Sequence, residues 1–504
     1  MKTMWKVTWS KILALGLLSI TSSTWANDYK LTLENCHLGE IRSQVKCGKL
    51  QVPENYQKPQ GRQISVNFSI LPAINNSEDK IPLMFLAGGP GQGAVELSAN
   101  VFRDFNEIRK SRDIILVDQR GTGESSPLQC QDNVGINPYT SLVEDFTNEE
   151  VKDCLAQLTA DDKLDLAQFT SENAVRDFDA VRAALGHEKI NIYGGSYGTR
   201  TALVYMRLFP QSLNSVVLDS VAPVEVPIGL FGQSTARSFK LLLDNCQKDK
   251  ACQQAYPNLA QEFKSVVAKL AQSPANVTIS HPRLGTATEF IINDSKFIST
   301  LRLQLYSLMG RSLVPLIIHQ ASLGDFKPLA GLIAQTDTEK GMGIYIGLHL
   351  NIICNEDMPR MSVQMLKDDA NNDFSKDLSS KIMQNACAVW PRYPVNDDFY
   401  MPVTANIPTL ILSGELDPVT PPSNGEKSAA TLPNSHHIVA KNTAHIVAST
   451  KCAVGIVNEF LTSLTPKALD ESCLSELPDE SFMTGLNGSV ISTVEKNIAQ
   501  AVKE

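Results

Sequence analysis

Long apolar segments are scarce in this sequence of 504 residues. The run at residues 12–20 carries no charge, but it is shorter than the roughly 20 residues that a bilayer-spanning helix needs. No later segment approaches that length without charged residues. The sequence therefore predicts a chain without a membrane span.

The start of the chain has the composition of a secretory signal peptide. Lys2, Lys6 and Lys11 precede or flank the apolar run, and Thr24-Trp25-Ala26 supplies small residues around a cleavage point. Neither a lipid-anchoring Cys nor an Arg-Arg pair is found there. We predict that residues 1–26 are removed and that the protein is secreted or periplasmic. The alternative is a buried N-terminal helix.

An excess of basic residues is also missing. The formal net charge is −9, and it becomes about −12 without the first 26 residues, which contain three lysines and no acidic residue. Nucleic-acid binding requires a positive surface, and this chain should repel phosphate at long range. We therefore expect no nucleic-acid partner.

The cysteines lack the spacing of a zinc site, since no Cys-x-x-Cys pair and no Cys-His group of that kind is found. The ten cysteines are Cys36, Cys47, Cys130, Cys154, Cys246, Cys252, Cys354, Cys387, Cys452 and Cys473. An even number in an exported chain predicts disulfides. Pairing neighbours in sequence would close five modest loops, each stabilising the fold by about 2–4 kcal/mol, but other pairings are open.

Short apolar runs alternate with helical patterns in the first half of the chain. The runs lie at residues 82–86, 114–117, 190–193 and 216–218, and they have the length of buried strands. This alternation predicts a parallel sheet covered by helices, an α/β fold.

The strand pattern fades over residues 225–401 and returns at residues 409–412 and 437–440. Helical patterns inside this stretch lie at residues 240–246, 259–271 and 342–354. We therefore predict a discontinuous α/β domain, residues 27–224 and 402–504, interrupted by a helical insertion.

The sequence Gly194-Gly195-Ser196-Tyr197-Gly198 fits the pattern G-x-S-x-G. The pattern is common by chance, but here a strand pattern precedes it and a helical pattern follows it. A sharp turn from strand to helix exposes the serine hydroxyl, and glycines on both sides leave room for it. Ser196 is therefore the candidate nucleophile; the alternative is an ordinary Gly-Ser turn.

A serine nucleophile needs a base, and His445 is the best of eight histidines because it follows the last strand pattern in a loop. An acid should precede it after a strand, and Asp417 fits that position. Glu415 and Asp219 are the competing acids. The other histidines lie in a strand pattern or lack a comparable loop: His37, His187, His281, His319, His349, His436 and His437.

The segment Ala87-Gly88-Gly89-Pro90-Gly91-Gln92-Gly93 leaves a predicted strand and can bring bare backbone close to a substrate. Its Gly89 N–H and the Tyr197 N–H are the candidate donors of an oxyanion hole. A phosphate-binding loop is the alternative, but no Gly-Lys-Ser/Thr follows. This chemistry requires no metal and no organic cofactor.

These motifs together resemble the prolyl iminopeptidase and tripeptidyl aminopeptidase group of α/β-hydrolase serine peptidases, closest to its secreted tripeptidyl branch. Residues 87–91 resemble the group's His-Gly-Gly-Pro-Gly loop, residues 118–123 its following turn, and residues 194–198 its nucleophile turn. The resemblance runs from about Cys47 to Cys473. One position departs from it, because Ala87 stands where the group has His.

The resemblance implies an α/β-hydrolase fold with a helical cap, residues 225–401, whose acidic side chains hold the substrate's α-amino group. Glu356 is the first candidate for this role and Asp357 the second. The alternative is a solvated acidic helix end. The implied function is an aminopeptidase that acts on peptides with free N termini. A carboxylesterase and a non-catalytic binding module are the alternatives, and no oligomeric state is predicted.

Overall fold

The computed structural model describes residues 30–75, 80–130, 139–140, 147–160, 164–336 and 343–487. The predicted signal peptide lies outside these residues. Within the described ranges, no helix combines the length and the apolar character that a membrane crossing requires.

A nine-stranded sheet runs through the protein in the order β1-β2-β3-β5-β4-β6-β7-β10-β11. Its strands are β1 Leu31–Cys36, β2 Val45–Pro53, β3 Gln63–Leu71, β4 Leu83–Leu86, β5 Ile114–Val117, β6 Ile190–Gly195, β7 Leu213–Asp219, β10 Thr409–Gly414 and β11 Ser435–Ala440. The first three strands and β5 pair antiparallel, and all pairings from β5 to β11 are parallel. The predicted mostly parallel sheet is confirmed, and each of the six predicted apolar runs coincides with a strand.

Helices cover both faces of this sheet. They are α1 Ser98–Asp104, α2 Asn106–Arg109, α3 Asn148–Thr159, α4 Ser171–Ala184, α5 Tyr197–Leu208, α15 Pro422–Thr431 and α16 Lys451–Ser463. Successive residues of a strand point to opposite faces, so Leu83 and Phe85 pack in the core with α16, whereas Met84 and Leu86 pack in the core with α4 and α5. The central strands β4 and β5 are therefore apolar at every position.

The polypeptide between β7 and β10 forms the insertion. Its helices are α6 Gly232–Lys248, α7 Lys250–Ala255, α8 Leu259–Gln272, α9 Asp294–Gln304, α10 Leu308–Ser322, α11 Lys327–Thr336, α12 Ile346–Ile352, α13 Val363–Ala370 and α14 Leu378–Val389. A separate core around Phe239, Phe263, Phe297 and Phe374 holds several of them together.

Two features of the insertion differ from the sequence-based expectation. A hairpin of β8 Ala275–Ser280 and β9 Ala287–Ile292 lies among the helices. Alternate residues of β8 are exposed, so it lacks the apolar run that revealed the other strands. In addition, α12 continues into a π-helical turn at Ile353–Asp357 rather than ending at Cys354.

All ten cysteines are paired, and each pair joins neighbours in sequence. The disulfides are Cys36–Cys47, Cys130–Cys154, Cys246–Cys252, Cys354–Cys387 and Cys452–Cys473. Two of them lie within the insertion, and the other three lie outside it.

Removing disulfides of different loop length should test how they stabilise the fold. Cys354 and Cys387 are 33 residues apart, whereas Cys246 and Cys252 are 6 apart, and all four side chains are buried. Loop-closure entropy predicts losses of about 4 kcal/mol for Cys354→Ala/Cys387→Ala and about 2 kcal/mol for Cys246→Ala/Cys252→Ala. Urea unfolding measures both, and equal losses would contradict the entropic explanation.

Candidate active site

Ser196 lies in the abrupt turn between β6 and α5. Its backbone has φ 55°, a conformation that non-glycine residues rarely adopt. Its N–H donates to the Asp219 carbonyl at 2.9 Å, and its carbonyl accepts the Thr199 N–H at 2.9 Å. Ser196 is partly exposed, whereas the residues on either side of it are buried. The turn therefore exposes the serine while the residues next to it stay buried.

Two glycines permit this turn. A Cβ on Gly194 would lie 2.4 Å from the Gly198 carbonyl oxygen, and one on Gly198 would lie 2.2 Å from the Leu86 carbonyl oxygen. Both contacts are with backbone, which cannot move aside. Gly195 is different, because its nearest neighbour would be the Ile446 Cδ1 at 3.3 Å.

His445 and Asp417 contact each other directly, with 2.8 Å between His445 Nδ1 and Asp417 Oδ2. The Asp417 carboxylate also accepts the N–H groups of Val419 and Thr420, both at 2.9 Å, and the Thr420 hydroxyl at 2.7 Å. Asp417 is fully buried and follows β10. Its four hydrogen bonds fix the orientation in which it meets the imidazole.

This contact shifts the pKa of both groups. Burial alone would raise the pKa of Asp417, but the His445 charge and the hydrogen bonds outweigh it, so the pKa is lowered. Burial alone would lower the pKa of His445, but the charge of Asp417 and its hydrogen bond outweigh it, so the pKa is raised. The pair is thus arranged to stabilise a protonated imidazole.

The competing acids do not contact the imidazole ring. Glu415 accepts the Asn442 N–H at 3.2 Å and supports the loop before His445. Asp219 instead accepts the N–H groups of Val447 and Ala448, just after His445. The sequence indicated Asp219 only as a competing acid and gave no signal for this contact. It also gave no signal for Tyr306, whose ring lies edge-on to His445 with 5.2 Å between centroids.

The glycine loop lies against Ser196, since a Cβ on Gly88 would be 3.2 Å from the Ser196 Cβ. Gly89 and Gly91 have φ 107° and 105°, which favour glycine. The insertion holds this loop from the far side. The Tyr345 N–H donates to the Gly91 carbonyl at 2.8 Å, and His349 Nδ1 lies 3.0 Å from the Pro90 carbonyl oxygen.

His349 explains how the loop is supported although Ala87 stands at its start. Burial lowers the pKa of His349, and an Nδ1–H of its ring can donate to the Pro90 carbonyl. The sequence separation of 259 residues left no local signal for this contact.

The two acidic residues at the end of the π-helical turn are buried, so a solvated helix end is the wrong interpretation. Asp357 pairs with Arg200 at 2.8 Å and with Arg360 at 2.9 Å. Two guanidinium groups therefore already pair with the Asp357 carboxylate.

Glu356 has a different environment. Its carboxylate accepts the Ser171 N–H at 2.7 Å and the Ser171 hydroxyl at 2.5 Å, and that hydroxyl also lies 2.7 Å from the Tyr197 hydroxyl. Burial raises the pKa of Glu356 to about 7. Among the residues that the structure describes, Glu356 forms no ion pair. Its chain of contacts leads through Ser171 to Tyr197, the residue after Ser196.

A cavity of about 400 Å³ lies between the polypeptide that leaves β7 and the loop that carries Asp417. Its walls include Ala222, Phe231, Arg237 and Thr420. One of these residues, Thr420, is also 3.2 Å from His445 Nδ1, although His445 itself does not line the cavity. No group of acidic, His or Cys side chains in the described ranges is arranged to hold a metal ion.

Comparison with known proteins assigns the class. Residues 81–278 match the family model described as alpha/beta hydrolase fold, and residues 371–473 match the model described as TAP-like protein. The chain is thus a serine hydrolase of the α/β-hydrolase superfamily.

The relatives narrow this class. The chain is 26% identical to serine protease Hip1 of Mycobacterium tuberculosis, over 77% of this chain and 79% of that protein. It is 32% identical to tripeptidyl aminopeptidase of Streptomyces lividans over 35% of each chain. It is also 32% identical to proline iminopeptidase of Aeromonas sobria, over 34% of this chain and 36% of that one. The two family models and these relatives together support an α/β-hydrolase peptidase family for the chain.

Alanine substitutions at Gly198 and Gly195 should distinguish a tight contact with backbone from a looser contact with a side chain. Gly198→Ala places a methyl group 2.2 Å from the Leu86 carbonyl oxygen, so we expect a loss of about 3 kcal/mol or more. Gly195→Ala, the matched control, meets only the flexible end of Ile446 and should cost less than about 1 kcal/mol. Urea unfolding compares the two, and similar losses would argue against the backbone clash.

Proposed function

We propose that the protein is an exported serine aminopeptidase that releases N-terminal residues or short peptides through an acyl-enzyme. The observation that carries this proposal is the direct contact of His445 with Asp417, in a protein whose glycine loop lies against Ser196. The peptidases among its relatives support a peptide as the substrate.

The proposed chemistry follows from these positions. The Ser196 Oγ attacks the peptide carbonyl carbon while His445 accepts the hydroxyl proton, and Asp417 stabilises the imidazolium. The N–H groups of Gly89 and Tyr197 donate to the oxyanion. His445 then passes its proton to the departing amine as the C–N bond breaks. Water then attacks the acyl carbon while His445 accepts a proton from it. The bond to Ser196 Oγ breaks, and His445 returns the proton to the serine.

Glu356 is the proposed anchor for the substrate's α-amino group. A buried carboxylate that forms no ion pair is costly, and burial accordingly raises the pKa of Glu356. An incoming ammonium would pair with it directly and form charge-assisted hydrogen bonds. Asp357 is the weaker candidate, because Arg200 and Arg360 already neutralise it.

Export is part of the proposal. Five disulfides support it, because such bonds persist in oxidising compartments and are rare in the cytosol. The predicted signal peptide at residues 1–26 agrees with it. Peptides that reach the cell surface or periplasm would then be the substrates.

A panel of chromogenic substrates tests the activity. It contains peptide anilides with free or acylated N termini and a short-chain ester, each assayed with the wild-type protein and with Ser196→Ala. We expect turnover of the free peptides only, and a fall of at least about a thousandfold in the Ser196→Ala variant. Equal cleavage of free and acylated peptides would rule out an aminopeptidase. Ester turnover alone would identify a carboxylesterase, and no turnover by the folded protein would indicate a binding module.

Glu356→Gln tests the amino-group anchor. The glutamine oxygen can still accept the Ser171 N–H, and its NH2 group can donate to the Ser171 hydroxyl, but the charge that would attract an ammonium is removed. We expect KM for free peptides to rise by about tenfold or more, with no change in stability. An unchanged KM would mean that Glu356 does not bind the α-amino group.

The neighbouring residue provides the control for this substitution. Asp357→Asn removes the negative charge that pairs with the fully buried Arg200 and should lower the free energy of unfolding by about 3–5 kcal/mol. The two variants therefore distinguish a residue that binds substrate from one that holds the fold.

A further inference from the structure

We propose that Asp219 is a positioning residue that holds the His445 loop against the nucleophile turn and adds a second negative charge near the imidazole. The inference rests on the proposed function, because it concerns the same serine and histidine. Asp219 is the last residue of β7 and is fully buried. It therefore acts from beneath the site, without touching a substrate.

The side chain of Asp219 holds the backbone just after His445. Its Oδ1 accepts the Val447 N–H at 2.9 Å, and its Oδ2 accepts the Ala448 N–H at 2.8 Å. The N–H of Ile446 donates to the Ser220 hydroxyl at 2.9 Å, and that hydroxyl lies 3.4 Å from Asp219 Oδ1. Three consecutive N–H groups after His445 are thus held by Asp219 directly or through Ser220.

The same residue contacts the nucleophile turn. The Asp219 carbonyl accepts the Ser196 N–H at 2.9 Å, and its Oδ2 accepts the Tyr193 hydroxyl at 2.7 Å. Asp219 also pairs with Gly195 across the β6–β7 ladder. One residue therefore joins the turn that carries the serine to the turn that carries the histidine.

The strained backbone at Ile446 explains why these hydrogen bonds are needed. Ile446 has φ 69° and Ser220 has φ 61°, a region that a β-branched residue such as isoleucine avoids. Strained residues persist only where their surroundings over-determine them. The hydrogen bonds to Asp219 and Ser220 supply that constraint at Ile446, next to the imidazole.

Burial raises the pKa of Asp219, but its hydrogen-bond partners favour the carboxylate form. Its partners Tyr193, Ser220, Val447 and Ala448 all donate, which matches a group that only accepts. The titratable groups near it are Tyr193 and His445, and those near His445 are Asp417, Asp219 and Tyr306. An imidazolium at His445 is therefore stabilised by two carboxylates, one in contact and one behind the turn.

The test measures labelling of Ser196 by a fluorophosphonate, which needs no peptide substrate. The Ser196 oxygen bonds to phosphorus as fluoride leaves, and His445 accepts the hydroxyl proton. The labelling rate against pH thus reports the reactivity of the serine and the pKa of His445. A wild-type protein that does not label would overturn the proposed function together with the role of Asp219.

We expect Asp219→Asn to label on the order of 10- to 100-fold more slowly, because His445 loses its fixed position. The pH midpoint of its labelling should also fall. Asp219 raises the pKa of His445, so removing its charge lets the imidazole lose its proton at lower pH. A wild-type protein that labels, with an Asp219→Asn variant of equal rate and midpoint, would overturn the inference while leaving the proposed function intact.

Ser220→Ala provides a milder variant that keeps the charge. It removes only the hydroxyl that accepts the Ile446 N–H, so labelling should slow while the pH midpoint stays unchanged. If Asp219→Asn does not fold, this variant decides the question: a rate equal to that of the wild type overturns the positioning role.

Discussion

The close backbone packing around Ser196 is the constraint on which the rest of the site depends. Gly194 lies against the Gly198 carbonyl and Gly198 lies against the Leu86 carbonyl, with no room for a side chain at either position. This packing brings the end of β4, the start of α5 and the turn between them together. The glycine loop, which continues from β4, must then lie beside the serine, and the neighbouring β7 brings Asp219 beneath it.

The insertion takes part in building the site. Its Tyr345 and His349 hold the glycine loop, and its Asp357 forms a buried ion pair with Arg200 of α5. Tyr306 approaches His445 from the same part of the chain. The insertion and the α/β domain are therefore tied together around the site by hydrogen bonds and an ion pair.

Much of this arrangement was predictable from local patterns. The six predicted runs each coincide with a strand, because strands in a sheet covered on both faces are rich in apolar residues. Asp417 and His445 were predicted from their places after the late strands, and they do contact each other. The hairpin β8–β9 was missed, because the residues of β8 alternate between exposed and only partly buried and so form no apolar run.

The sequence by itself determined the class of fold and the order of serine, acid and histidine, since both follow from short-range patterns of apolar residues and glycines. Only the tertiary structure decided which of three acids meets the imidazole, that Glu356 is buried without an ion pair among the described residues, and that Asp219 joins the two turns. These contacts link residues up to 228 or 229 positions apart, as between Asp219 and the turn after His445. Such pairs depend on how strands are ordered in a sheet, and no local pattern records that order.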